Sequence, residues 1–137
     1  MIMLETLQDR LDYLRSLEEN WYGYGEEVPS EQAIGRMLQI LPGVLSLGDE
    51  GLRCEVGPVG DGGVAISVSR LSDKQRVVGV YFDNDHDGMI ATAVFPEKNI
   101  HIWPWEHITQ ETVNELHNFL RKAIAVYRET SLSESAL

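Results

Sequence analysis

Asp83-Asn84-Asp85-His86-Asp87-Gly88 places three carboxylates and an imidazole within six positions. Carboxylates this close repel one another unless water or a cation lies between them. Asp83, Asp85, Asp87 and Gly88 match positions one, three, five and six of a D-x-D-x-D-G calcium loop, and Ile90 matches its apolar position eight. Position twelve is Val94, where an EF-hand needs a bidentate glutamate, and the flanks are patterned as strands. The EF-hand reading therefore fails. What remains is a hairpin turn that uses Asp and Gly for backbone geometry, or a metal site on Asp83, Asp85 and Asp87. A Ca²⁺ ion on this turn is the one cofactor the sequence offers, and the turn reading needs none.

Other reactive groups are scattered. The histidines are His86, His101, His107 and His117. A zinc site from Cys54, His101 and His107 lacks any C-x-x-C or H-x-x-x-H spacing. Cys54 alternates with Arg53 and Glu55, so it is expected to point inward with Leu52 and Val56 as a structural thiol. There is no G-x-S-x-G elbow and no P-loop, and no helix follows Gly60-Asp61-Gly62-Gly63 to make it a phosphate cradle.

The other chemical cluster is aromatic. Trp21, Tyr22 and Tyr24 fall within four positions, separated by Gly23 and bracketed by Glu18, Glu19, Glu26 and Glu27. Tyr and Trp on loops are enriched in protein-binding hot spots. Trp21 is expected to cap the core, which leaves Tyr22 and Tyr24 as contact residues. Trp103 and Trp105 bracket Pro104 further along, and their pattern suits core or surface equally. Residues 1–50 carry ten acids and only three bases, so the aromatic loop sits in the more acidic part of the chain. An acidic rim around accessible rings suits a basic partner protein.

These groups need elements to hold them. Leu4, Leu7, Leu11, Leu14 and Leu17 recur at three- and four-residue spacing, which predicts a helix from Met3 to Glu18. Ser30 reads as an N-cap for a second helix with Ile34, Met37, Leu38 and Leu41 on its apolar stripe, stopped by Pro42-Gly43. Strand patterns follow in Leu52-Cys54-Val56, Val64-Ile66-Val68, Val78-Val80-Phe82, Ile90-Thr92-Val94 as far as Pro96, and Ile100-Ile102. Thr109 opens a last helix on Val113, Leu116, Leu120, Ala123, Ile124 and Tyr127. The expected fold is α+β: an antiparallel meander of four to five strands with two N-terminal helices and one C-terminal helix, all on one face. Residues 1–130 form one domain in this reading, and 131–137 a flexible tail.

Leu17-x-x-Asn20-Trp21-x-Gly23-Tyr24-Gly25, followed by Pro29-Ser30 and an amphipathic helix, resembles small bacterial proteins that carry an N-W-D-G-Y-G-A segment after their first helix. Pro58-x-x-Asp61-Gly62-Gly63-Val64 and Asp87-Gly88 extend the similarity over roughly residues 11 to 95. Tyr22 stands where that family has Asp, and Glu26 where it has Ala. The family has no assigned activity, so the resemblance implies a fold pattern and a bacterial or phage setting without a mechanism.

Composition bounds the function. The chain has 137 residues, 43% hydrophobic and 24% charged, enough to bury roughly two-thirds of its unfolded surface without a staple. A net charge of -11 opposes binding to nucleic acid or anionic membrane. No apolar run approaches a membrane span, and Met1 to Arg10 is not patterned as a signal peptide. One cysteine excludes an intramolecular disulfide and fits a reducing cytoplasm. With no complete catalytic set, the leading reading is a non-enzymatic acidic module that blocks a basic partner, such as an antitoxin, an immunity protein or a phage-encoded inhibitor of bacterial defence. The alternative is a metal-dependent hydrolase or Ca-binding domain on Asp83–Asp87, with His86 or His101 as base. A homodimer through the Leu4–Leu17 stripe or a sheet edge is compatible with either.

Overall fold

Period-two alternation recurs between residues 52 and 105, and each run pairs with the next. The computed structural model describes the backbone except at Leu4, Asp49, 95–99 and Leu137, and no side chain is described for Ile2, Ile100, His101 and 128–136. The elements are β1 (Ile2–Met3), α1 (Leu7–Ser16), α2 (Glu31–Leu47), β2 (Leu52–Pro58), β3 (Gly63–Arg70), β4 (Arg76–Asp83), β5 (Met89–Val94), β6 (Ile100–Trp105) and α3 (Gln110–Ala136). The sheet order is β1-β2-β3-β4-β5-β6. Strands β2 to β6 form the expected antiparallel meander, and β1 joins the β2 edge in parallel. The fold is α+β, with helices on one face of the sheet.

That face carries Cys54 and Val56 of β2, Val64, Ile66 and Val68 of β3, and Val78, Val80 and Phe82 of β4, all buried against α1, α2 and α3. Leu11 and Leu14 of α1 belong to the same core, with Leu7 and Leu17 packed against it. The leucine stripe thus covers this chain's own sheet and is not free to be a coiled-coil seam; Leu4 lies outside the described residues. Beyond β1 no other strand among the described residues pairs with this edge of β2, and there the Arg10 guanidinium donates to the Val56 carbonyl from Nε (2.8 Å) and Nη2 (2.6 Å). A cation capping an edge carbonyl is one way to blunt strand pairing with another chain.

Five details differ from the sequence pattern. Ile2 and Met3 form a strand, because they pair with Arg53 and Cys54. The first helix starts later, where the Thr6 side chain accepts the Asp9 N–H (3.1 Å) as an N-cap. Pro42 does not stop α2, which runs on to Leu47. Pro42 removes one helical hydrogen bond on the exposed side, while the apolar stripe continues through buried Val44 and half-buried Leu45 and Leu47. In β5 the core takes Met89, Ala91 and Ala93, and Ile90 faces the open side. The pairs Ala91–Val80 and Ala93–Val78 require this, since directly opposed residues share a face. Finally, the α3 backbone continues through Ala136, past the point where a tail was expected; no Gly or Pro interrupts it.

Two glycines permit close approaches at one end of the sheet. Gly63 has φ +126°, and a Cβ there would collide with the Phe82 carbonyl oxygen. A Cβ on Gly88 would collide with the Trp105 carbonyl oxygen. By contrast, Gly35 lies on the exposed side of α2 with open space around it. Gly88→Ala should lower the unfolding free energy by about 1–3 kcal/mol in urea titrations, whereas Gly35→Ala should raise it by about 0.4–1 kcal/mol. Equal effects from the two would contradict the packing described.

Candidate functional site

In a meander, alternate turns fall at the same end. The β2–β3 turn, the β4–β5 turn and the exit of β6 therefore gather at one end of the sheet. The segment from Asn20 to Glu27 is tied there too, because the Glu27 N–H donates to the Gly60 carbonyl (3.3 Å).

The Asn20–Glu27 loop closes on itself. Asn20, Gly23 and Gly25 all take positive φ, at 62°, 93° and 82°, a region that favours Gly and Asn. The Asn20 side chain accepts the Gly25 N–H (2.7 Å), and the Asn20 N–H donates to the Glu26 carbonyl (2.8 Å). Trp21 is half-buried, and its Nε1–H donates to the Glu27 carbonyl (3.1 Å). Glu26 turns inward with only 8% of its surface exposed. Its carboxylate accepts the Tyr22 N–H (3.1 Å) and, with both oxygens, the Tyr24 N–H (3.1 and 3.2 Å). Burial works to raise its pKa, but the N–H groups of Glu26 itself, Tyr22, Tyr24 and Gly23 outweigh that and hold the carboxyl below the usual glutamate range.

The rings face outward as a result. Tyr22 is 72% exposed and Tyr24 85%. Their centroids are 5.8 Å apart, and Tyr22 lies 6.1 Å from Trp21. Glu18, Glu19 and Glu27 are exposed beside them in sequence. Glu26 departs from the expected solvent rim: it is the loop's internal anchor.

The acidic turn has a structural role of its own. Asn84 Oδ1 accepts the Ser30 N–H (2.7 Å), and its Nδ2 donates to the Val28 carbonyl (2.8 Å). One side-chain amide thus pins the chain between the aromatic loop and α2. Ser30 then caps α2 by accepting the Ala33 N–H (3.0 Å). Asp83 Oδ1 accepts the Asp85 N–H (2.8 Å), and the Asp83 carbonyl accepts from Arg36 (2.6 Å).

Between these turns lies a groove of about 710 Å³. Its apolar lining includes Tyr81, Ile90 and Pro104, which stand side by side across β4, β5 and β6. Asp61, Asp83, Asp87 and Glu106 line it, as do His86 and His107. Trp105 also lines it, buried, with its Nε1–H donated to Glu115 of α3 (2.7 Å), whereas Trp103 is 54% exposed. The ion pairs among the described residues, Arg10–Glu5, Arg15–Glu31, Arg53–Glu55 and Arg70–Asp73, leave the groove acids untouched.

Among the described residues, no three His, Cys, Asp or Glu side chains stand where they could share a metal ion. Asp83 uses one oxygen on the turn itself, and Asp85 and Asp87 are exposed. The zinc grouping is also separated: Cys54 lies on β2 while His101 lies on β6, four ladder steps away, about 19 Å at the usual strand spacing. The His101 side chain lies outside the described residues. Burial, with Glu55 adding to it, pushes the Cys54 thiol up to about 12. Among the described residues, no helix is long and apolar enough to cross a membrane.

Sequence reasoning located the aromatic loop but missed the groove, the inward turn of Glu26 and the Asn84 brace. An acid directly after a two-glycine loop is a usable signal for a carboxylate held by backbone amides. Comparison of the chain with protein-family models, with curated proteins and with solved structures gives no match.

Two outcomes follow from the titratable groups. A depressed folded-state pKa contributes stability above the unfolded value, which is lost as pH falls through the folded one. The Glu26 carboxyl should therefore titrate below the free glutamate value of about 4.3, with the Tyr22 and Tyr24 amide resonances moving at the same midpoint. Glu26→Ala should speed hydrogen exchange at those two amides at neutral pH. For Cys54, thiol reagents at pH 8 should react only with unfolded protein; rapid labelling of the native chain would show that the thiol is not buried.

Proposed function

We propose that the chain is a non-enzymatic binding protein that occupies a basic partner protein and blocks it. The observation that carries this reading is the pair of exposed, mutually packed rings of Tyr22 and Tyr24 on a loop already closed by Glu26. Rings carried on a backbone that is already closed before binding need little further ordering of the loop on contact, which favours affinity. The exposed carboxylates of Glu18, Glu19 and Glu27, within a net charge of -11, favour encounter with a cationic surface. Antitoxins, immunity proteins and phage-encoded inhibitors of bacterial defence are partner-blocking proteins of this physical type. The resemblance of the Asn20–Gly25 segment to small bacterial proteins supports such a setting, and the lone buried thiol suits the cytoplasm.

Affinity capture from a bacterial lysate, followed by calorimetry on the purified partner, tests this. The captured protein should be basic, and Tyr22→Ala combined with Tyr24→Ala should weaken it about 30-fold or more, about 2 kcal/mol. The complex should also weaken as salt rises. Unchanged affinity in the double variant would remove the loop from the interface, and failure to retain any basic protein would sink the reading.

A further inference from the structure

The groove beside the aromatic loop offers a more specific contact. Tyr81, Ile90 and Pro104 are directly opposed across three strands on the face that the helices leave open. Ile90 is 42% exposed and Pro104 is exposed as well, so this strip is accessible. Asp61, Asp87 and Glu106 stand on the turns and the β6 exit at the same end, and all three are exposed. Among the described residues, no ion pair engages them. Asp83 adds a fourth carboxylate. Two cations border the groove, Arg36 donating to the Asp83 backbone carbonyl (2.6 Å) and Arg76 to the Tyr81 hydroxyl (2.9 Å), and among the described residues neither forms an ion pair with a groove carboxylate.

An apolar strip that ends among carboxylates suits a side chain with a long aliphatic stem and a cationic head. A guanidinium fits better than an ammonium, because it is planar, weakly hydrated and able to bridge two carboxylate oxygens. At about 710 Å³ the groove is the size of a small-ligand pocket, so it holds a short segment of chain and not one side chain alone. We propose that the groove receives an arginine of the basic partner together with an apolar neighbour, the stem against Ile90 and Pro104 and the guanidinium among Asp61, Asp83, Asp87 and Glu106. This deepens the binding reading above and rests on it, while assigning the contact to residues that the aromatic loop does not include.

The test uses the full ¹⁵N-labelled chain and the terminally blocked peptide Leu-Arg-Leu, with citrulline and norleucine counterparts and spermidine. Amide shifts should saturate at Gly88, Ile90 and Glu106 with the arginine peptide. Replacing arginine by citrulline, or using the Asp61→Asn, Asp87→Asn, Glu106→Gln variant, should weaken binding about tenfold. That variant should keep its unfolding midpoint, since the three carboxylates are exposed. Equal binding by citrulline or spermidine, shifts centred away from the groove, or no shifts at all would overturn the proposal. If partner capture is lost with Tyr22→Ala and Tyr24→Ala but unaffected by the groove variant, the binding reading stands and the groove falls. If the arginine peptide binds in the groove while the chain retains no basic protein, the groove specificity stands and the binding reading falls.

Discussion

The Glu26 carboxylate holds the aromatic loop of this molecule together from inside. A buried anion would ordinarily be costly. Here it is offset by the amides of Tyr22 and Tyr24, which would otherwise be left without partners in a loop that makes no helix or sheet. Because the backbone curls around that carboxylate, the rings on the same residues have nowhere to go but outward. Exposure of Tyr22 and Tyr24 is thus a consequence of where the charge sits, and not of disorder in the loop. The left-handed conformations at Asn20, Gly23 and Gly25 belong to the same constraint.

Asn84 links this loop to the sheet. Its amide reads both a donor and an acceptor on the Val28–Ser30 segment, as a neighbouring strand would. The turn that bears it is rich in aspartate, and a metal would be the obvious use for such a turn. In the structure Asp83 orders the turn, Asn84 braces the approach to α2, and Asp85 and Asp87 are exposed. The glycines that close this end, Gly63 and Gly88, are there because neighbouring carbonyl oxygens occupy the space of a side chain. The D-G-G and D-G pairs of the sequence therefore have a packing origin.

The charge of the molecule is unevenly compensated. Several basic side chains are engaged in pairs such as Arg53–Glu55 and Arg70–Asp73, and others donate to neutral oxygens, Arg10 and Arg36 to backbone carbonyls and Arg76 to the Tyr81 hydroxyl. Asp61, Asp87 and Glu106 at the groove end of the sheet keep no such ion-pair partners among the described residues. Low-dielectric walls beside unpaired charge focus the field outward, which is the physical condition for attracting a cationic surface over a distance.

Local patterning determined a good deal by itself. Alternation in Leu52–Val56, Val64–Val68 and Val78–Phe82 defined three strands and their inner faces, and short polar joints made them antiparallel. The caps at Ser30, which accepts the Ala33 N–H, and Thr109, which accepts the Thr112 N–H (3.2 Å), were legible from residue type, because an oxygen one bond from Cβ can reach the first free amides of a helix. The inner face of β5 was not legible, since Ile90 and Thr92 look as good inside as Met89, Ala91 and Ala93 until Val78 and Val80 impose the phase. Nor was the end of α2, where burial of Val44 outweighed Pro42. The same limit applies to the site. Clustering of Trp21, Tyr22 and Tyr24 is a property of neighbouring residues, so it can be read along the chain. The inward turn of Glu26 is local as well, resting on amides two and four residues away, but the bridge from Asn84 to Ser30 and the meeting of Asp61, Ile90 and Glu106 around one groove join residues up to dozens of positions apart. Only the folded meander, by bringing alternate turns to one end, could decide them.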